Sequence, residues 1–380
     1  MVLNVRERLH DDLLRLSVRG YPVADFFQES GRALGGAIDF DGFCSMTVDP
    51  ATMLLTSHIA HDSVRPEDVP SLARNEFLED DVNKFGELAQ QPRPAGILSQ
   101  ATSRHPEVSA RYRDILQPNA FGDELRLALL DAGSCWGWIA LYRRNGRGTF
   151  GEGDAELAAE MSSVLAQGVR RAVLLAAVPA EEGPDAPGLV LLAPGGAVEA
   201  VTPAGQHWMD ELIATPADGD LPGIVLSVAY RALVAARGGP GGGGARARVP
   251  TVAGGWLVIH GSVLGDPAEG RTAVVLEPAR PPGMAAILLA AYGLTPRERE
   301  LTGLVLQGLS TDQIAERLSL SGYTVQDHLK GVFAKAGVRS RRELVAHVFF
   351  QHYVPRMQSG APIGTSGWFL DTDASRSPST

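Results

Sequence analysis

The residues whose type and spacing best serve a chemical purpose lie near the C-terminus, in "LSTDQIAERLSLSGYTVQDHLKGVFAKAG" (Leu309 to Gly337). At about 100° per residue, Val325, Leu329, Val332 and Ala336 fall on one stripe, with Phe333 at its edge, facing Ile314 and Leu318 of the preceding helix. The opposite face carries Tyr323, Gln326, Asp327, Lys330, Gly331 and Ala334. An amide, a carboxylate and an ammonium on one helix face can meet base edges and phosphates. A glycine inside an exposed helix costs about 1 kcal/mol relative to alanine, so the small pair Gly331 and Ala334 reads as room for a groove to approach. The chemistry is recognition of a polyanion rather than bond making.

Other chemistry finds little support. No Ser-His-Asp set, metal-spaced His/Cys group or phosphate-cradling glycine loop stands out, so no catalytic residue, metal or cofactor is expected. A receiver-type phosphorylation set is also missing. The two cysteines exclude a disulfide scaffold. Cys44 alternates with Met46 and Val48, and Cys135 with Ile139 and Leu141, as buried apolar thiols would. The alternative is a redox pair on neighbouring strands, in a thiol-dependent reductase or redox sensor. Trp136 and Trp138 share the other face of their strand, lining a ligand cavity or the core.

The elements that must position the C-terminal face announce themselves by caps. "TPRE" places Thr295 as N-cap with Glu298 at the capping-box position, "STDQ" repeats this with Ser310 and Gln313, and "SRRE" with Ser340 and Glu343. Ser321 opens the remaining helix without a reciprocal acid, and Gly308 and Gly337 sit where helix ends favour a left-handed residue. Four helices with short connections must fold back on one another.

The combination "LTPRE", "GLS…IAERL", "S..TV..HL" and "GVRSR" resembles the LuxR-type helix-turn-helix over Leu294 to Ala346. The resemblance implies an all-α four-helix DNA-binding domain. Its third helix enters the major groove, and its fourth, Arg341 to Phe350, makes a dimer contact. The implied DNA-binding set is Ser310, Thr311, Ser321, Tyr323, Thr324, Gln326, Asp327, Lys330, Arg339 and Arg341. Gln326 departs from the lysine common at that place, and glutamine suits a bidentate contact with adenine. Asp327 accepts from a cytosine amino group or repels phosphate. Lys330 keeps the family's basic groove charge. Thr324 and the amides near Ser321 suit phosphates at a helix N-terminus, whereas His328 points to the core edge.

Charge agrees with this division. The chain of 380 residues has a net charge of -10 and a pI near 5.4. Residues 292–346 carry eight cations and six anions, leaving 26 cations and 38 anions elsewhere. An acidic body with a mildly basic end fits a sensor attached to a DNA reader.

The body divides at proline-bearing stretches, Ala176 to Gly188 and Pro278 to Gly283. Residues 1–177 show a leading helix (Val5, Leu9, Leu13, Leu16), strands "GFCSMTVD" and "LLTSHIA", helical patterns "SLARNEFLEDDVNKFGELAQ" and "HPEVSARYRDIL", strands "DELRLALLDAG" and "CWGWIALYRR", and a long closing helix from Asp154. This order resembles the GAF fold, an α+β sensor module. "DVNKFGEL" lacks the acidic pair that cyclic-nucleotide GAF modules place after it. A linker follows at 178–186. Residues 187–281, with "LVLL", "AVEAV", two helices and three further strands including "GGWLVIHGSVL", resemble the α+β PAS fold, with "GGPGGGG" a loop within it. The DNA-binding domain takes 282–354, and 355–380 form a disordered tail.

The expectation is a multidomain one-component transcriptional regulator. Its partners are double-stranded DNA, a second copy in a homodimer, a small-molecule ligand in the GAF-like or PAS-like unit, and RNA polymerase. In the long helix, Leu157, Met161, Val164, Leu165 and Val169 make a stripe that can pair with its symmetry mate. With a charged N-terminus and its apolar run Met284 to Leu294 too short to span a bilayer, a cytoplasmic protein without a membrane partner is expected.

Overall fold

The computed structural model describes residues 5–175, 186–212, 221–239, 244–252, 255–279, 292–306, 309–341 and 343–344. Most of the first proline-bearing stretch, of the second and of the glycine run, Gly308, most of the fourth C-terminal helix and the tail lie outside them. The chain forms two compact units, Met1–Ala291 and Tyr292–Thr380.

The first unit holds two antiparallel sheets. In the first, β1 (Gly42–Val48), β2 (Leu55–His61), β3 (Ala95–Ile97), β4 (Phe121–Asp131) and β5 (Ser134–Arg144) run in the order β2-β1-β5-β4-β3. One face is covered by α1 (Val5–Val18), α2 (Val23–Gly35) and α6 (Glu152–Leu175). The other lies under α3 (Val69–Leu78) and α4 (Phe85–Leu88), with α5 (Leu98–Ala101) following β3. With both faces covered, β4 and β5 are buried almost end to end, so they read as apolar runs rather than alternating strands.

The second sheet runs β7-β6-β10-β9-β8, from β6 (Gly188–Leu192), β7 (Val198–Val201), β8 (Arg246–Pro250), β9 (Trp256–Val263) and β10 (Thr272–Pro278). Its helices are α7 (Pro203–Asp210), capped by Thr202 Oγ1, and α8 (Gly223–Ala236). Counted locally, both sheets follow one order, 2-1-5-4-3. α8 is buried on nearly every side from Gly223 to Leu233, because it packs against α3 and β2 of the first sheet and β9 and β10 of the second. A helix apolar all round demands such a place.

The second unit contains α9 (Pro296–Leu306), α10 (Thr311–Leu318) and α11 (Gly322–Ala336), with Leu344 fully buried beyond them.

Several expectations need correction. The stripe Leu157, Met161, Val164, Leu165 and Val169 is buried within its own unit, against α1, α2 and the first sheet, so it is not free for a symmetry mate. Trp136 and Trp138 do not share a face. The pairing of β4 with β5 shifts between Leu129↔Gly137 and Leu130↔Cys135, leaving Trp136 as the extra residue of a β-bulge. Trp136 therefore joins Ile139 and Leu141 under the helices, while Cys135 and Trp138 face the other way with Ala140 and Tyr142. The segment read as helical through Gln90 breaks after Leu78, and "HPEVSARYRDIL" forms a 3-10 turn and a π-helical turn. Helix α2 and edge strand β3 were not foreseen.

Candidate nucleic-acid interface

α11 is seated by its apolar stripe: Val325, Leu329, Val332 and Ala336 are buried, Phe333 is half-buried, and Ile314 and Ala315 of α10 are buried against them. Its other side is open. Tyr323 is 77% exposed, and Gln326, Asp327, Lys330 and Ala334 are exposed with it, while His328 is half-buried. The structure thus brings Tyr323, Gln326, Asp327 and Lys330 onto one free surface.

The caps hold this helix in place. Ser321 Oγ accepts from Thr324 N at 3.0 Å and lies 2.7 Å from Thr324 Oγ1, so that amide is already engaged. Ser310 and Gln313 form a complete capping box on α10, at 3.2 and 2.8 Å. Between the two helices Ser319 takes the left-handed conformation, φ 54°, a place where glycine is the usual choice. Gly337 ends α11 at φ 67°.

Other sequence-selected residues have supporting contacts. The Arg341 guanidinium donates to the Leu309 carbonyl, tying the fourth helix start to the α10 entry. Arg339 is exposed, and its backbone N–H donates to Glu343 Oε2 at 2.7 Å. Ser310 is exposed and Thr311 half-buried at the α10 N-terminus. Arg297, not singled out by sequence, donates to the Leu318 carbonyl at 2.9 Å and closes the end of α10.

Gly331 has a different explanation from the one its sequence position offers. A Cβ built there lies 2.9 Å from Glu298 Oε1. Glu298 Oε2 meanwhile accepts from Thr295 N at 2.7 Å and Lys335 Nζ at 2.6 Å. The glycine leaves room for the α9 capping carboxylate, which accounts for its small size without a groove. Burial pushes the Glu298 carboxyl up, but the bonds from Lys335 and Thr295 outweigh it and leave it below its ordinary value.

The first unit carries a second candidate site, a cavity of about 50 Å³ on the sheet face away from α6. Cys44, Met46, His58, Arg126, Trp138 and Tyr142 line its sheet side, and Val69, Leu72, Phe77 and Gly223 are among its other walls. Beside it runs a buried ion network. Arg111 Nε donates to Glu124 Oε2 at 2.9 Å, and Arg126 donates to Glu124 Oε1 at 3.1 Å and Glu76 Oε2 at 2.8 Å. Burial raises the Glu124 carboxyl, and the two guanidiniums more than offset this and hold it low. The Arg126 guanidinium sits 4.4 Å from the Phe85 ring centre, and Phe85 stacks on Trp138 at 4.8 Å. The residues of "DVNKFGEL" belong to this network, since Asp81 Oδ2 accepts from Arg111 N and Asn75.

The two cysteines are not a pair. Cys44 faces Ala140, and Cys135 lies five residues further along β5. At about 3.3 Å per residue that is roughly 16 Å, far beyond the roughly 7 Å Cα separation a disulfide tolerates. Burial also pushes the Cys135 thiol up to about 12. Among the described residues no cluster of three or more His, Cys, Asp or Glu could hold a metal, and no helix is long and apolar enough to cross a membrane.

Comparison with known proteins places these observations. The model of the bacterial regulatory proteins of the luxR family matches residues 293–348. A helix-turn-helix-type transcriptional regulator of Mycobacterium bovis is 54% identical over 52 residues, 14% of this chain and 6% of that protein. The monoamine regulon transcriptional regulator of Klebsiella aerogenes is 45% identical over 56 residues, 15% of this chain and 25% of that protein. The chain thus spans a small part of the curated relatives it matches. The crystal structure of Escherichia coli SdiA aligns over 90% of this chain and 96% of its own at 12% identity, with a TM-score of 0.33, too low to equate the folds. Residues 293–348 therefore form a LuxR-type helix-turn-helix domain, of the kind carried by bacterial transcriptional regulators.

Proposed function

We propose that the chain is a sequence-specific, DNA-binding transcriptional regulator that works as a homodimer and is controlled through its first unit. The observation that carries the reading is the open face of α11. A helix anchored by four buried apolar residues presents Tyr323, Gln326, Asp327 and Lys330 to solvent. In this reading Gln326 contacts an adenine edge, Asp327 takes a cytosine amino group, and Lys330 meets phosphate. Ser310, Thr311 and Ser321 sit at helix N-termini suited to phosphates, Thr324 holds the Ser321 cap, and Arg339 adds charge toward the DNA backbone. Arg341 acts through the Leu309 carbonyl it holds. Two copies reading half-sites about 10 base pairs apart supply affinity that one mildly basic unit lacks.

The first unit serves as the sensor, with a GAF-like module over 1–177, a linker at 178–186 and a PAS-like module over 187–281, followed by the reader at 282–354 and a tail at 355–380. The repetition of one strand order in both sheets supports two related α+β modules. α8, packed between them, supports transmission from the cavity to the second sheet. Contact with RNA polymerase and a cytoplasmic location complete the reading. Footprinting of the purified chain on its own upstream region tests it: two protected half-sites about 10 base pairs apart are expected, and no protection at any concentration would contradict it.

A further inference from the structure

We propose that Cys44 is a modification site, a thiol that hydrogen peroxide oxidises to a sulfenic acid with His58 as its proton acceptor. The inference rests on the reading of the first unit as a sensor and names the chemistry its cavity receives. Cys44 Sγ lies 3.1 Å from His58 Nε2, and both side chains are buried and line the cavity.

The register explains why they meet. Met46 faces His58 on β2, so Cys44, two residues away on the same face, is the diagonal neighbour of His58. Across the sheet, Cys44 faces Ala140 and Ala140 faces Arg126. Cys44, Ala140 and Arg126 therefore share one row of the sheet, and Arg126 lines the same cavity.

The walls supply further polar groups. The indole nitrogen of Trp138 is buried without a hydrogen bond of ordinary geometry, although it lies close enough to Cys135 to stabilise that thiolate. Trp138 is 2% exposed and lines the cavity.

Size selects the oxidant. About 50 Å³ is a third of the roughly 150 Å³ cavity that takes benzene. A molecule of two heavy atoms fits, whereas a quinone or an aryl hydroperoxide does not. In the step itself, His58 takes the Cys44 proton and the thiolate sulfur attacks one peroxide oxygen. An S–O bond forms as the O–O bond breaks, and the departing hydroxide takes the proton back and leaves as water. Sulfur is oxidised and the peroxide is reduced, with no further reactant. Cys135 stands too far off to condense with the product. The added oxygen occupies space bounded by Leu55, Val69 and Gly223, the last being the first residue of α8.

The test treats the native full chain with hydrogen peroxide, traps sulfenic acid with dimedone and maps the labelled peptide, using Cys44→Ser as background. Label on Cys44 and none on Cys135 is expected, with labelling slowed at least tenfold in His58→Asn. Cumene hydroperoxide, too large for the cavity, should label Cys44 at least tenfold more slowly than hydrogen peroxide in the unaltered chain, a comparison that stands even if the variant does not fold. No label on Cys44, equal labelling of both cysteines, an unchanged rate in His58→Asn, or equal rates with the two peroxides would overturn the proposal. The readout is on sulfur, so its failure is distinct from a failure to bind DNA.

Discussion

Asp49, just after β1, accepts from Arg248 of β8 at both oxygens: Nη1 donates to Oδ2 at 2.9 Å and to Oδ1 at 3.2 Å, and the backbone N–H donates to Oδ2 at 3.1 Å. The carboxylate is fully buried and also holds the following turn through Ala51 N at 2.9 Å. One side chain thus fastens the first sheet to the edge strand of the second. Removing one partner of a buried pair leaves a charge uncompensated, at about 3–5 kcal/mol. Asp49→Ala should accelerate amide exchange of residues 246–250 and lower the urea midpoint of the first unit. The double variant Asp49→Leu, Arg248→Met should recover much of that loss. An unchanged midpoint in the single variant would show that the two sheets are held by α8 packing alone.

Gly331 and Glu298 give a sharper contrast, since two effects oppose. Gly331→Ala gains about 1 kcal/mol of helix propensity, but its methyl group displaces a carboxylate that caps α9 and pairs with Lys335. A cap and a bridge of this kind are together worth a similar amount. Gly331→Ala alone should therefore leave the stability of the second unit within about 0.5 kcal/mol. In a Glu298→Ala background the same change should stabilise it by about 1 kcal/mol. Additive behaviour in this cycle, measured by amide exchange of α9 and α11, would show that the glycine is not matched to Glu298.

Much of the C-terminal unit was legible because its signals are local. Thr295 with Glu298, Ser310 with Gln313, and Ser321 are caps whose partners lie three residues away, and each bond is present. The stripe of α11 needed only helical periodicity. What sequence missed depends on distant neighbours. Gly331 took its meaning from a carboxylate more than thirty residues earlier. Trp136 changed face because one extra residue entered the β4–β5 pairing, and period-two reading fails at a bulge. The α6 stripe was recognised, but its covering helix α1 stands at the other end of the module. The Cys44–His58 contact follows from strand register, which no single-strand pattern reveals.

Acid should loosen the second unit through Glu298. Its carboxyl lies below the ordinary 4.5 when folded, so its stabilisation is complete above the unfolded value and fades as pH falls through the lower folded value. Amide exchange in α9 should accelerate as pH drops below about 4.5 beyond the intrinsic pH effect. Glu298→Gln should be less stable at neutral pH and show a flatter decline. A variant with the same acid profile as the natural chain would remove Glu298 from this role.

Ser319 carries a backbone cost that glycine would relieve. At φ 54° and ψ 44° a residue with a Cβ is disfavoured by roughly 1 kcal/mol. Ser319→Gly should raise the stability of the helix-turn-helix by up to about 1 kcal/mol, and Ser319→Val should lower it by more. Calorimetry on the full chain, following the transition assigned to the second unit, checks both directions.

The central claim is that the outward surface of α11 reads duplex DNA. Its most direct test is the salt-dependent affinity of the full chain for its footprinted duplex, compared among the natural protein, Lys330→Ala and Gln326→Ala. Lys330→Ala should weaken binding evenly across sequences and reduce the salt slope by about one. Gln326→Ala should relax preference at a single base pair by about 1–3 kcal/mol. Affinity, slope and preference all unchanged in both variants would contradict the account.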